Sequence, residues 1–231
     1  MRDQRSRDII AEFRNFIGDE RYPCVAARAA LARHQIPCFI AMHMGCPTDD
    51  EEILAFLYRF TREYRRSGTI FHSAAIIFRQ PDSITEEVFE RLLWQRLQNL
   101  ARLDAEKYKY DARVSSDPQA PDFSFSLGEE AFFIIGLHPD NRRHARRFPY
   151  PAMVFNPHAQ FEKIRKENQY EKMKRIVRQR DVLYSGSVNP MLSDFGESSE
   201  VFQYSGRKYR EDWICPLKNA HAKTGNNSSE K

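Results

Sequence analysis

The chain has 231 residues, 41% hydrophobic and 29% charged, with 36 basic and 32 acidic side chains and a formal net charge of +4. A chain of this size buries a core without disulfide or metal staples, its near-balanced charge makes no general demand for nucleic acid, and no apolar run approaches the roughly 18 residues a membrane helix requires. The charged N-terminus has no apolar secretory stretch, and Cys24, Cys38, Cys46 and Cys215 have no CxxC spacing, so the expectation is a cytoplasmic protein with reduced thiols.

In chain order, Ile9, Phe13 and Phe16 or Ile17 mark an amphipathic helix. Tyr22-Pro23-Cys24 interrupts it, and 25–32 resumes as a small-residue helix suited to pack closely on something flat. Residues 36–41 read as a short strand. Thr48 to Glu51 has capping-box spacing, and Ile53, Phe56, Leu57, Phe60 and Tyr64 behind it keep one helix face apolar. Residues 69–78 read as a buried strand. The box recurs from Ser83 to Glu86, ahead of a helix carried by Phe89, Leu93, Leu97 and Leu100.

Residues 111–121 are polar and proline-containing, hence a loop, and 123–127 alternate with strand period. Residues 131–137 and 152–155 are continuous apolar runs. Asn156 and Pro157 then have the character of a cap and a first-turn proline, and predict one helix running to about Val182. Beyond Ser185, Phe195, Phe202, Tyr204, Tyr209 and Trp213 punctuate an irregular segment. That composition predicts a wrap over the core through 185–220 and a frayed tail at about 221–231. The expected architecture is a single α+β domain over 1–231, with a central, largely antiparallel sheet and helices packed on it.

Chemistry concentrates in 136–161, which holds three of the seven histidines and four arginines between two strand-like runs. His138 ends a strand ahead of Pro139, and His158 sits at a helix start; from opposite ends of this unit the two imidazoles can face one pocket. Neutral imidazole ligates metals and haem iron, while nearby arginines suit phosphate or propionate. Each of these residue types more often has a structural role, as a hydrogen-bonded histidine or a solvated arginine. Asp140 and His144 have helical spacing, a weak acid–base signal. HExxH, GxGxxG, P-loop and GxSxG motifs are absent. The basic residues from Lys163 to Arg180 interleave with Glu162, Glu167 and Glu171, as on a solvated helix face, so nucleic-acid or phosphate binding there ranks last.

Three segments carry a resemblance that covers nearly the whole chain. They are Phe132 to Phe161, with Ile-Ile-Gly-Leu-His-Pro, Ala-Arg-Arg-Phe and Val-Phe-Asn-Pro-His-Ala-Gln-Phe; Tyr22 to Leu31; and Gln203 to Arg207 with Trp213 to Pro216. Together they resemble the YqcI/YcgG family, which includes haem-dependent N-hydroxylases of guanidine-bearing substrates. The departure is Asp140-Asn141-Arg142 in place of Ser-Ser-Arg, which bears on substrate choice.

The resemblance implies non-covalent haem b in a pocket between the sheet and the His158 helix. His138 is the favoured axial ligand, with His158 as its rival or as a distal residue. Arg146, Arg147 and Arg207 are the expected propionate partners. Glu129 and Asp140, with Glu130 beside them, are the expected carboxylates that position a cationic guanidine or amine substrate. Oxygen or peroxide and an electron donor are the implied co-reactants, no membrane partner is expected, and a homodimer stays open. The alternative in another class is non-catalytic haem binding or sensing.

Overall fold

In the computed structural model, which describes residues 3–188, 196–210 and 212–221, five strands form one sheet in the order β1-β2-β5-β4-β3. They are β1 (Cys38–His43), β2 (Ala74–Gln80), β3 (Phe125–Leu127), β4 (Glu130–Leu137) and β5 (Ala152–Pro157). β1 runs parallel to β2, and the other three pairings are antiparallel, so the α+β fold with a largely antiparallel sheet is as the sequence predicts. The described helices are α1 (Gln4–Gly18), α2 (Val25–Ala32), α3 (Asp50–Ser67), α4 (Glu86–Ala105), α5 (His158–Lys166), α6 (Tyr170–Ser185) and α7 (Val201–Tyr204). No helix among the described residues is long and apolar enough to cross a membrane.

The middle strands are apolar on both faces because helices cover both. Ile76, Phe78, Ile134, Met153 and Phe155 pack with Leu57 and Phe60 of α3 and Phe89, Leu93 and Leu97 of α4. The alternate residues Ala75, Ile77, Leu137, Ala152 and Val154 pack with Ile9, Phe13 and Ile17 of α1 and Ala30 of α2. Successive strand side chains point to opposite faces, so each strand supplies two cores at once.

Several boundaries differ from the expectation, each for a local reason. Thr48 does not cap α3: Pro47–Asp49 forms a short 3-10 turn, Thr48 Oγ1 meets Cys46 Sγ at 2.9 Å, and Asp49 accepts the Met42 N–H at 2.6 Å. Behind that turn the buried guanidinium of Arg96 pairs with Asp50 and donates to the carbonyl oxygens of Met44 and Cys46, which fixes where the helix starts. The cap of α4 is Thr85 rather than Ser83, and its hydroxyl accepts the Val88 N–H at 3.3 Å. The strand expected over 69–78 begins at Ala74, after Phe71 turns through φ 68°.

The long helix expected from Asn156 is also different. Asn156 belongs to β5, where its amide donates to Phe133 O at 3.1 Å and accepts from Ser73 Oγ at 2.7 Å. The helix begins at His158 and is broken between α5 and α6, where Asn168 takes φ 56°, a left-handed conformation that asparagine tolerates. Phe195 and the expected tail from 222 onward lie outside the described residues. Of the C-terminal aromatics, Tyr209 stacks on Trp213 at 3.8 Å, and Trp213 packs 5.9 Å from Trp94 of α4.

The closest approach in the core is at Gly136, where a Cβ would lie 2.7 Å from the Phe89 ring and 2.9 Å from Tyr204 O. Gly136→Ala is expected to cost about 1–3 kcal/mol, the usual penalty for overpacking. Urea unfolding followed by tryptophan fluorescence measures it, and an unchanged midpoint would refute the contact.

Candidate functional site

The alternation along β4 decides where the two histidines go. Leu137 faces the α1/α2 side, so His138 turns to the α4 side and stacks on Phe89 with ring centroids 4.4 Å apart. It is 0% exposed, and its Nε2 lies 3.0 Å from Asn141 Nδ2. His158 follows β5 at the other end, where Pro157 pairs with Phe132. At about 3.4 Å per strand residue, the two positions are roughly 20 Å apart along β4. The structure therefore does not bring His138 and His158 into one pocket.

His158 lines a cavity of about 240 Å³ between the α1/α2 face of the sheet and helices α5 and α6. Its walls are mostly apolar: Phe13 and Ile17 from α1, Phe133, Ile135 and Val154 from the sheet, and Met173 and Val177 from α6. Ala26 and Ala27 make the α2 wall smooth. The His158 ring is nearly buried, with Nε2 3.5 Å from Glu162 Oε1. Burial holds its pKa down at about 4, so the imidazole is neutral, with a lone pair to donate. His138 is likewise held down to about 4 by burial.

A second polar group on this wall has no counterpart among the sequence candidates. Glu200, at the start of α7, lines the cavity and is 6% exposed. Its Oε1 accepts from Tyr204 Oη at 2.5 Å and Ser124 Oγ at 2.9 Å. Burial pushes its carboxyl up to about 8 against those two hydrogen bonds. The only trace of it in the sequence is the helical spacing of Glu200 and Tyr204 within an aromatic segment.

The remaining candidates fall elsewhere. Glu129 is exposed at the tip of the β3–β4 hairpin, where it and Gly128 take φ 60° and 59°, the paired positive values of a tight two-residue turn. Glu130 is buried and paired with Arg65 at 2.9 Å and Arg113 at 3.0 Å. Asp140 accepts the Glu86 N–H at 3.2 Å, closing the first turn of α4. None of these three carboxylates lines the His158 cavity.

Among the arginines, Arg147 donates to Asn141 O at 2.8 Å, and Arg207 pairs with Glu90 at 2.6 Å. Arg146 differs from both. It is 8% exposed, donates to Tyr204 O at 3.2 Å, and has no ion pair with a described carboxylate. Burial holds its pKa down at about 10, and it lies behind the Tyr22 edge of the cavity, next to the Ala145 carbonyl that Tyr22 Oη donates to at 3.3 Å. Arg165 and Lys174 line the cavity itself. Charges along α6 are largely engaged within the molecule: Lys174 pairs with Glu171 at 2.8 Å, Asp181 pairs with Arg143, and Arg180 donates to the carbonyls of Glu20 and Tyr22.

Comparison with known proteins adds the following. A sequence model of the YqcI/YcgG family matches residues 13–218. The chain is similar to "Uncharacterized protein YqcI" of Bacillus subtilis (strain 168), with 25% identity over 194 residues, 80% of this chain and 75% of that protein. No solved structure matches significantly.

The buried neutral histidines give a pH signature. Unfolded histidines take up protons below an ordinary pKa of 6.5, whereas His138 and His158 in the folded chain resist until about 4. Stability is therefore expected to fall as pH drops through that window, by up to about 3 kcal/mol per histidine. Urea midpoints across it should show a shallower decline for His158→Gln than for the unaltered chain; parallel curves would refute a neutral, buried His158.

Proposed function

Starting from the YqcI/YcgG family, to which this chain belongs, we propose that the His158 cavity binds haem b and that the protein hydroxylates a nitrogen of a small guanidine- or amine-bearing substrate. The observation that carries this reading is a neutral, buried imidazole in the wall of a mostly apolar cavity. The donor set fits the group. A haem iron, already held by its macrocycle, needs one protein imidazole and apolar surface for its faces. His158 offers the first, and Ala26 and Ala27 with Phe133 and Ile135 offer the second.

Arg165 and Lys174, paired with Glu162 and Glu171, line the cavity and are the cations nearest to a bound carboxylate, whereas Arg146 lies outside the lining, against Tyr204 O. Arg147 and Arg207 do not line the cavity. The ligand is assigned to His158 rather than to His138, because His138 is packed beneath Phe89 and does not line this cavity. A volume of about 240 Å³ is below the roughly 300–1,000 Å³ of ordinary ligand pockets. Room for a macrocycle would come from movement of a cavity wall, and α6, with Asp181 as its one buried residue, has little packing to lose.

Bound haem would supply the iron that activates oxygen or peroxide for transfer to the substrate nitrogen. The chain's own contributions are more limited. Burial keeps His158 unprotonated, and the Glu162 carboxylate lies 3.5 Å from its Nε2. The apolar walls exclude water from the reacting nitrogen.

The test is a visible spectrum of protein expressed with a haem precursor or titrated with hemin. A Soret band is expected, lost in His158→Ala and retained in His138→Ala variants that remain folded. A chain that acquires no Soret band would overturn the reading, and a Soret band without hydroxylation of guanidine or amine substrates, given reductant and oxygen, would favour haem binding or sensing instead.

A further inference from the structure

Among the described residues that line the His158 cavity, Glu200 supplies the one carboxyl group. Its hydrogen bonds are lopsided: both the Tyr204 and the Ser124 hydroxyls converge on Oε1, and Oε2 has no hydrogen-bond partner among the described residues. The position is also rigid. The Tyr204 hydroxyl that holds Oε1 in turn accepts the Phe125 N–H at 3.2 Å, which ties the carboxyl to the edge strand β3. A carboxyl of the cavity wall with one oxygen fixed and the other without a described partner is suited to accept from a ligand donor.

We propose that Glu200 is the cation-recognition residue of this cavity, with Oε2 receiving the protonated nitrogen of a small ligand whose carbon skeleton packs on the apolar walls. This rests on the proposed function in using the same cavity, and it does not depend on haem. A neutral donor would not offset the cost of ionising a buried carboxyl, whereas a cation would, because opposite charges at close range favour the charged form. Binding then proceeds with ionisation of Glu200 and release of its proton to solvent.

The groups facing Glu200 do not obscure that step. Tyr204 from α7 and Tyr110 from the loop after α4 are pushed upward by burial and stay neutral, and the Arg165 guanidinium of α5 acts on the carboxyl as a nearby opposite charge. With the Glu200 carboxyl pushed up to about 8, affinity for a permanently charged cation is expected to rise about tenfold between about pH 7 and about pH 9.

The probe is n-butylguanidinium, which stays protonated throughout that range, with n-pentanol as an uncharged control of similar length. Calorimetric titration of the full chain in two buffers of different ionisation heat reads affinity and proton release together. Glu200→Gln, which keeps the shape and the acceptor for Ser124 and Tyr204, is expected to bind the cation at least about tenfold more weakly, to lose proton release, and to bind n-pentanol as before. Unchanged cation affinity in that variant would overturn the proposal. So would an unaltered chain whose affinity is flat with pH and whose binding releases no proton, a measurement that stands even if the variant fails to fold. The Soret band is recorded on the same samples: cation recognition that ignores Glu200 in a haem-loaded protein defeats this inference alone, and Glu200-dependent binding in a protein that takes up no haem defeats the haem reading alone.

Discussion

Two-sided burial of β4 and β5 governs the rest of the molecule. Because these strands lie between β2 and β3 with helices on both faces, every second side chain must satisfy a different core. A polar residue carried past the end of such a strand inherits the face that the alternation assigns to it. His138 thus joins the α4 side, where the absence of a side chain at Gly136 lets Phe89 and Tyr204 close in, and it becomes part of the packing. His158, released from the alternation by the turn into α5, reaches the opposite side, where α1, α2 and α6 leave a void.

Buried charge divides in a similar way. Arg96 has its carboxylate and its carbonyls close by and serves as an internal brace for the β1–α3 connection. Glu130 is held by two arginines. Glu200 and Arg146, by contrast, are each buried without an opposite charge at salt-bridge distance among the described residues, one lining the cavity and one just behind it. A domain that only needed to be stable would gain by replacing either with an apolar side chain, since a buried ionisable group without a charged partner is costly. Their presence is the strongest physical sign that this side of the sheet meets something polar besides itself.

The sheet strands and the amphipathic helices were legible because period-two and period-3.6 patterns are local. Phe89, Leu93 and Leu97 announce α4 without reference to any other part of the chain. Helix starts were less legible, since Thr48 and Ser83 have the right chemistry and lose to contacts from distant residues, Arg96 in one case and Asp140 in the other. The site was half legible. His158 stood out in a dense His/Arg stretch, but its separation from His138 depends on strand register, which single-sequence patterning does not carry across a loop. Glu200 was invisible because its surroundings come from β3, α5 and α7, which meet only in the folded chain.

Asn168 has a mechanical consequence. Its left-handed backbone separates α5, which bears His158, from α6, which forms the outer wall. Had 158–185 been one continuous rod, any outward swing of that wall would have levered His158 out of position. With the joint in place, the proposed entry of a ligand past α6 would not have to displace the α5 turn that carries His158.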